Sequence, residues 1–130
     1  MVFLPEGFPP EKLLDAFDDF RPVGDHSKYR NNYDYNKSIM LVNGDAHFDN
    51  GFLLMKEDAS MATPVSVLHS QHYTSAEEVY EFIRQENENI QCVVSTDTRI
   101  AGRIAPGRSQ YPALHDYADG VDTLEFLLNL

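Results

Sequence analysis

The stretch PVSVLHSQHYTSAEEVYEFIRQENENIQCVVS (64–95) decides the fold class, because it reads as a strand, a helix and a strand in succession. Apolar and polar residues alternate in 64–73, as is typical of a strand. Ser75 followed by Glu78 is a capping signature that predicts the start of a helix. The segment 90–95 is short and rich in β-branched residues, so we predict another strand there.

The sequence around this stretch predicts more elements of both kinds. The central helix carries an apolar stripe at helical spacing, formed by Ala76, Val79, Tyr80 and Ile83. We predict helices at 11–20 and 121–130, a polar loop at 28–38, and strands at 38–43 and 51–55. Alternating strands and helices predict an α/β fold with a mixed, mostly parallel sheet and flanking helices. The length of 130 residues predicts a single domain, 1–130.

The charge balance excludes several classes of partner. Twenty-one acidic residues against ten basic ones give a net charge of −11. Such a surface repels polyanions, so we expect no nucleic acid and no anionic membrane as a partner. No apolar run approaches the ~20 residues that cross a bilayer, and the start MVFLPEGFPP lacks the basic region of a signal peptide. With one unpaired cysteine, these features predict a cytoplasmic protein.

Cys92 is that cysteine, and it is either a nucleophile or an apolar core residue. In the predicted strand it shares a face with Ile90 and Val94, where a thiol behaves as a small hydrophobic group. A nucleophilic thiol needs a neighbouring base or a helix N-terminus, and neither follows Cys92 directly. We therefore expect Cys92 to be buried in the core.

Three groups of polar residues are candidate sites. Asp45, His47 and Asp49 alternate, and in extended chain they would share a face suited to a divalent metal; the alternative is a polar hairpin. His69 and His72 would point to opposite faces of a strand, which disfavours zinc. The polar segment 107–123 supplies either general acid–base catalysis or turns and helix caps. We favour turns and caps, with Asp119 or Asp122 as the N-cap of the last helix. Its candidates are Arg108, Gln110, His115, Asp116, Asp119 and Asp122.

Four segments resemble the C-terminal part of bacterial fatty-acyl-CoA reductases, relatives of the reductase that supplies aldehyde to bacterial luciferase. They are KYRNNYDYNKSIMLVN, DNGFLLMKE, IQCVVS and DYADGVDTLEFLLNL, and DYADGVDT is the most specific. The resemblance covers about Lys28 to Leu130. These reductases belong to the aldehyde dehydrogenase superfamily, so the resemblance implies the fold of its C-terminal catalytic subdomain.

The resemblance also implies one cofactor-binding residue. Glu57 matches the superfamily glutamate whose carboxylate holds the ribose of the nicotinamide. Seven residues lead from Glu57 to Pro64, two more than the family spacing, so Asp58 competes for the role. The resemblance further implies that, in the full enzyme, a cysteine forms a thioester with the acyl group. Hydride from NADPH then reduces this thioester to the aldehyde.

The nucleophilic cysteine of the family has no counterpart in this sequence. The glycine-rich cofactor-binding half is also absent, since no G-x-G-x-x-G occurs. We therefore expect a C-terminal segment of a larger reductase, cloned alone or encoded as a short gene. We expect this segment to have no catalytic residue and no bound cofactor of its own. Its expected partners are the missing N-terminal half of the reductase and further copies of itself in a homo-oligomer. The alternative is a self-standing, non-catalytic binding or assembly module derived from that fold. A small metal-dependent enzyme using Asp45, His47 and Asp49 is the third alternative.

Overall fold

The computed structural model describes residues 1–114, 116–117 and 121–130. They form two compact units, Met1–Glu78 and Val79–Leu130. The prediction of a single domain over 1–130 stays a prediction. The strands are β1 (Val2–Pro5), β2 (Phe48–Asp49), β3 (Leu54–Glu57) and β4 (Val67–Tyr73); the α-helices are α1 (Pro10–Asp15), α2 (Ser27–Asn43), α3 (Ala76–Gln85) and α4 (Thr123–Leu128). Among the described residues, 3-10 helices cover Asp18–Asp25 and Asn87–Asn89.

The first unit contains a four-stranded sheet in the order β1-β4-β3-β2. The pairs β1–β4 and β4–β3 are parallel, and β3 pairs antiparallel with the short β2. This confirms an α/β fold with a mixed, mostly parallel sheet and flanking helices. No helix in the described residues combines the length and apolar character that crossing a membrane requires.

The long helix α2 corrects two predictions, because it replaces both the polar loop at 28–38 and the strand at 38–43. Its buried residues Tyr33, Asn36 and Met40 follow helical spacing, and the two predictions had divided this pattern at Ser38. The helix ends at the Gly44-Asp45 pair. Gly44 is left-handed at φ 71°, and the Gly44 and Asp45 amides donate to Leu41 and Met40 carbonyls at 3.3 and 2.9 Å, as in a Schellman motif.

The core of the first unit lies where α2 packs on β3 and β4. Tyr33 and Met40 of α2 form one buried cluster with Leu54 and Val67 of the two strands. Leu54 and Met55 are both 0% exposed. Consecutive strand residues point to opposite faces, so both faces of the sheet are covered at this point.

A short connection, residues 58–66, joins the parallel strands β3 and β4 without a helix. Its end is fixed by the buried Asn36, whose side-chain amide donates to the Val65 carbonyl at 2.9 Å. Ser66 has a φ of 69°, a conformation that is uncommon for a residue other than glycine. The Ser66 carbonyl accepts a hydrogen bond from the Leu54 amide at 2.9 Å. This bond joins the end of the connection 58–66 to the start of β3.

The start of α3 at Ala76 confirms the predicted helix start after Ser75, although Glu78 reaches back to Thr74. The Glu78 carboxylate accepts hydrogen bonds from the Thr74 hydroxyl, from the Thr74 amide at 3.2 Å and from the Ser75 hydroxyl at 3.5 Å. These bonds hold the pKa of Glu78 below its usual value, the bond from the Thr74 hydroxyl having the largest effect. The predicted apolar stripe of α3 is partly buried along its length.

The second unit differs from the predicted arrangement at 90–95, where no strand forms. Its one backbone pairing there is a parallel bridge between Val94 and Ile104. The Ile104 amide donates to the Val93 carbonyl at 2.8 Å, and the Ser95 amide donates to the Ile104 carbonyl at 3.0 Å. The segment forms this single bridge and no strand.

The last helix, α4, forms where a helix was predicted but is shorter. Leu124, Leu127 and Leu128, its predicted apolar face, are 67%, 59% and 77% exposed. No residue of α4 is buried.

Candidate functional site

The carboxyl ends of the parallel strands carry the one residue for which the resemblance implies a cofactor contact. Glu57 is the last residue of β3, and its side chain is 74% exposed. His72 of the neighbouring strand β4 places Nδ1 3.8 Å from Glu57 Oε1. Ligands of α/β proteins bind at this edge of the sheet. The structure therefore presents an accessible carboxylate beside an imidazole at this edge.

Asp58, the competitor of Glu57, is already engaged. Lys56 Nζ lies 2.9 Å from one of its oxygens, and the Ser60 amide donates to the other at 2.8 Å. The hydrogen bond from Lys56, followed by that from Ser60, lowers the pKa of Asp58. Each Asp58 oxygen thus already has a donor, whereas Glu57 accepts no hydrogen bond from a described residue. Of the two carboxylates, Glu57 is the better placed acceptor.

His69 and His72 lie on opposite faces of β4, as predicted. His69 is 4% exposed, and its Nδ1 lies 2.7 Å from the Ser60 carbonyl oxygen. A carbonyl only accepts, so Nδ1 carries the hydrogen in this contact. Asp58 Oδ1 lies 4.0 Å from the same nitrogen. His69 thus fastens the connection 58–66 to β4.

Asp45, His47 and Asp49 do not come together as a metal site. His47 Nδ1 contacts the backbone carbonyl of Asp45 at 2.8 Å, and the Asp49 carboxylate is occupied by α2. Among the described residues, no group of three or more His, Cys, Asp or Glu side chains has an arrangement suited to a metal ion.

Asp49 instead belongs to a polar cluster with Tyr33 and Lys37, which the sequence analysis missed. The Tyr33 hydroxyl donates to Asp49 Oδ1 at 2.6 Å, and Lys37 Nζ lies 2.6 Å from Asp49 Oδ2. Lys37 also donates to the Tyr33 oxygen at 3.3 Å, and the Gly51 amide donates to Asp49 at 2.8 Å. Tyr33 and Lys37 are four residues apart on α2, a signal that becomes visible only when 28–43 is read as a helix.

The pKa shifts in this cluster favour a closed structural contact. Burial, followed by the hydrogen bond to Asp49, raises the pKa of the Tyr33 hydroxyl. Burial alone would raise the pKa of Asp49, but the hydrogen bonds from Lys37, Tyr33 and Gly51 outweigh it and lower the pKa. The hydrogen bond to Asp49 raises the pKa of Lys37. Tyr33 therefore stays a neutral donor and Lys37 a paired cation, so neither acts as a base.

Cys92 is exposed, which shows that the prediction of a buried core cysteine was wrong. The prediction depended on a strand at 90–95, which does not form, and the thiol is exposed in the second unit. Exposure alone does not make a nucleophile, because a thiolate also needs a neighbouring base or positive charge. No described residue forms a hydrogen bond or an ion pair with Cys92.

Asp97 forms a second polar cluster that sequence reasoning missed. Arg99 donates from Nε and Nη2 to the two oxygens of Asp97 at 3.0 and 2.8 Å, and the Tyr80 hydroxyl donates to the same carboxylate. The hydrogen bonds from Arg99 and then Tyr80 hold the pKa of Asp97 far below its usual value. The Arg99 guanidinium also lies 5.2 Å from the Tyr80 ring centroid. These contacts fix the turn after Ser95 to α3.

The polar segment 107–123 supplies turns and a cap where the structure describes it. Asp122 caps α4, because its Oδ1 accepts from the Leu124 and Glu125 amides at 3.0 Å each. Asp116 accepts from the Ala113 amide at 2.7 Å. Arg108 stacks over Tyr111, and Gln110 is exposed. The candidates His115 and Asp119 lie outside the described residues.

Comparison with known proteins adds no assignment: no family model, no curated protein and no solved structure matches the chain.

Proposed function

We propose that this chain is the C-terminal part of a fatty-acyl-CoA reductase and supplies the carboxylate that holds the nicotinamide ribose. The four quoted segments support the family. The observation that carries the proposal is the position of Glu57, an accessible carboxylate at the carboxyl end of β3. A carboxylate suits this role because it accepts hydrogen bonds from two ribose hydroxyl groups.

The residues around Glu57 fit a bound NADPH, which would supply the hydride for the reduction of the acyl group. Glu57 would accept the ribose hydroxyl hydrogens, and His72 beside it would limit the positions that the carboxylate adopts. Lys56 pairs with Asp58 at 2.9 Å. The proposed role of this chain is thus to orient the cofactor, while the nucleophilic cysteine comes from the N-terminal half of the reductase.

The proposal includes a cytoplasmic location, a homo-oligomer and a chain that is inactive without its N-terminal half.

The second candidate is a self-standing, non-catalytic binding or assembly module. The exposed leucines of α4 favour it, since an apolar helix face outside the core of its own unit is typical of an interaction surface. This candidate requires no role for Glu57.

A chimera separates the two candidates. This chain replaces the C-terminal part of a fatty-acyl-CoA reductase, and NADPH oxidation is followed with a long-chain acyl-CoA. We expect an active chimera in which Glu57→Gln raises the KM for NADPH about tenfold or more, the equivalent of a lost charge-assisted hydrogen bond. Glu11→Gln, an exposed change in the same unit, is the matched control and should leave the KM unchanged.

A folded chimera without activity would overturn the reductase proposal and favour the assembly module. An active chimera with equal KM values for Glu57→Gln and Glu11→Gln would remove Glu57 from the cofactor site.

A further inference from the structure

Two asparagines of the chain are followed directly by glycine, Asn43 before Gly44 and Asn50 before Gly51. An asparagine before glycine loses its side-chain amide without an enzyme, because glycine has no Cβ to hinder the attack of its backbone nitrogen on the side-chain carbonyl carbon. Both pairs lie in the first unit, but their surroundings differ. A difference in their reactivity therefore reflects the fold.

The Asn50 side chain is held at both of its polar atoms. Its Oδ1 accepts from the Leu53 amide at 2.9 Å and from the Phe52 amide at 3.3 Å. Its Nδ2 donates to the Leu14 carbonyl at 3.2 Å. Closing a ring between Asn50 and Gly51 would expel Nδ2 and rotate Oδ1, so the reaction has to break these hydrogen bonds.

The Gly51 nitrogen is held as well. It donates its hydrogen to Asp49 Oδ1 at 2.8 Å, so the anion needed for attack would form beside a carboxylate of like charge. Arg21 and Arg30 donate to the carbonyls of Asn50 and Gly51 at 3.1 and 3.0 Å, which fixes the peptide units on both sides of Gly51. A side chain added at Gly51 would begin 3.4 Å from Arg21 Nη1, so the space around this glycine is filled.

Asn43, in contrast, lies at an open helix end. It is the last residue of α2, it is exposed, and its side chain forms no hydrogen bond with a described residue. The Gly44 amide donates to the Leu41 carbonyl at 3.3 Å, longer than the usual distance of about 2.9 to 3.0 Å. A Cβ built on Gly44 would meet no atom within 4 Å. Fraying of the last turn is enough to free this pair for reaction.

We propose that Asn43 is a site of spontaneous deamidation in the folded protein, whereas Asn50 is protected until the first unit unfolds. The Gly44 amide hydrogen leaves as a proton, and the Gly44 nitrogen bonds to Cγ of Asn43. The bond from Cγ to Nδ2 breaks, and Nδ2 takes up a proton and departs as ammonia. Water then opens the resulting succinimide at either carbonyl, which leaves aspartate or isoaspartate at position 43.

This modification would weaken the end of α2. Either product adds a negative charge beside the C-terminal carbonyls of the helix, which already carry partial negative charge. Isoaspartate also inserts a methylene group into the main chain directly before Gly44. The Gly44 and Asp45 amides complete the helix end there by donating to the Leu41 and Met40 carbonyls. Met40 belongs to the buried cluster, so the modified position lies close to the core.

The test incubates the whole chain at mildly alkaline pH and follows both asparagines by peptide mapping with mass spectrometry. In the folded protein, Asn43 should deamidate about tenfold faster than Asn50, or more, because the Asn50 hydrogen bonds must break first. In urea, where those bonds are absent, the two rates should become similar.

Asn43→Gln is the matched variant, since glutamine would have to close a larger ring and deamidates far more slowly. It should remove the acidic species that ion exchange separates from the unmodified protein and leave the slow reaction of Asn50 unchanged. Persistence of that species at the wild-type rate would place the modification elsewhere and overturn the proposal.

Two further outcomes would also overturn it. One is an equal or faster reaction at Asn50 in the folded protein. The other is a folded chain in which both positions stay unmodified while both react in urea, since Asn43 would then be protected too. The reaction needs no ligand and no partner chain, so an inactive reductase chimera leaves this proposal unaffected.

Discussion

The hydroxyl group of Tyr33 donates a 2.6 Å hydrogen bond to Oδ1 of Asp49, and this bond joins the buried face of α2 to strand β2. Tyr33 is 3% exposed, and the Asp49 side chain is 20% exposed. Lys37, one turn further along α2, forms an ion pair with the same carboxylate. The bond fastens the long helix to the antiparallel edge of the sheet.

Removing this hydroxyl group should destabilise the protein. Tyr33→Phe keeps the ring in the core but leaves Asp49 without one of its donors, which should lower the free energy of unfolding by about 1.5 kcal/mol. Urea unfolding, followed by circular dichroism, measures the change. Tyr35→Phe is the control, because Tyr35 is 65% exposed on the same helix, and its effect should stay within about 0.5 kcal/mol. Equal effects of the two changes would show that the Tyr33–Asp49 bond adds nothing to stability.

The same cluster should make stability depend on pH in the acid range. The folded-state pKa of Asp49 is lowered below its ordinary value of 3.8, so the unfolded state binds the proton more readily. The contribution of Asp49 is therefore complete above its unfolded pKa and is lost as the pH falls through 3.8 towards the lower folded value.

Unfolding free energies measured from about pH 6 down to pH 2 test this dependence. Other carboxylates with lowered pKa values contribute to the acid loss of the wild type, so the informative quantity is the difference from Asp49→Asn. Asp49→Asn should have a lower free energy of unfolding than the wild type at about pH 6. This difference should disappear at about pH 2. Parallel curves would contradict the assignment.

Core and surface leucines should respond very differently to truncation. Leu54→Ala removes a side chain that is 0% exposed and should cost about 2–5 kcal/mol. Leu127→Ala removes one that is 59% exposed and should change the free energy of unfolding by less than about 0.5 kcal/mol. A large cost for Leu127→Ala, increasing with protein concentration, would show that α4 is buried in an oligomer.

The Cys92 thiol should be accessible in the native protein. Because it lies on the surface of the second unit, we expect a thiol reagent to label native and urea-unfolded chains at rates within about threefold, without the protection that burial gives. Cys92→Ser should be close to neutral in stability, since the hydroxyl group meets water rather than the core. Strong protection of the native thiol would indicate that another surface covers Cys92.

The elements that the sequence predicts well are those whose pattern is purely local. The cap at Ser75 and Glu78 and the alternation in β4 each depend on neighbours within a few residues. The strand predicted at 90–95 failed because β-branched residues fit any extended segment. Whether such a segment joins a sheet depends on a partner elsewhere in the chain. Here the partner is Ile104, and only a single bridge forms.

Helix α2 shows a different limit. Its N-terminal half is rich in Tyr and Asn, which are poor helix formers, and its more apolar C-terminal half resembles a strand. The helix is stabilised by burying Tyr33, Asn36 and Met40 against the sheet, a tertiary contact that no local pattern contains. The Asp49 cluster was missed for the same reason, because it requires the helix to exist first.

The pairing of β1 with β4 has a consequence for the synthesis of the chain. Val2 lies opposite Ser70, so the edge strand cannot complete its ladder until the residues up to Tyr73 have left the ribosome. At ~5–20 residues per second, translation from Val2 to Ser70 takes about 3 to 14 s. During that interval α2 and β3 emerge while the position beside β1 is still vacant. A nascent chain stalled before β4 should therefore be open to proteases and chaperones, and one released after Tyr73 should acquire its protection in a single late step.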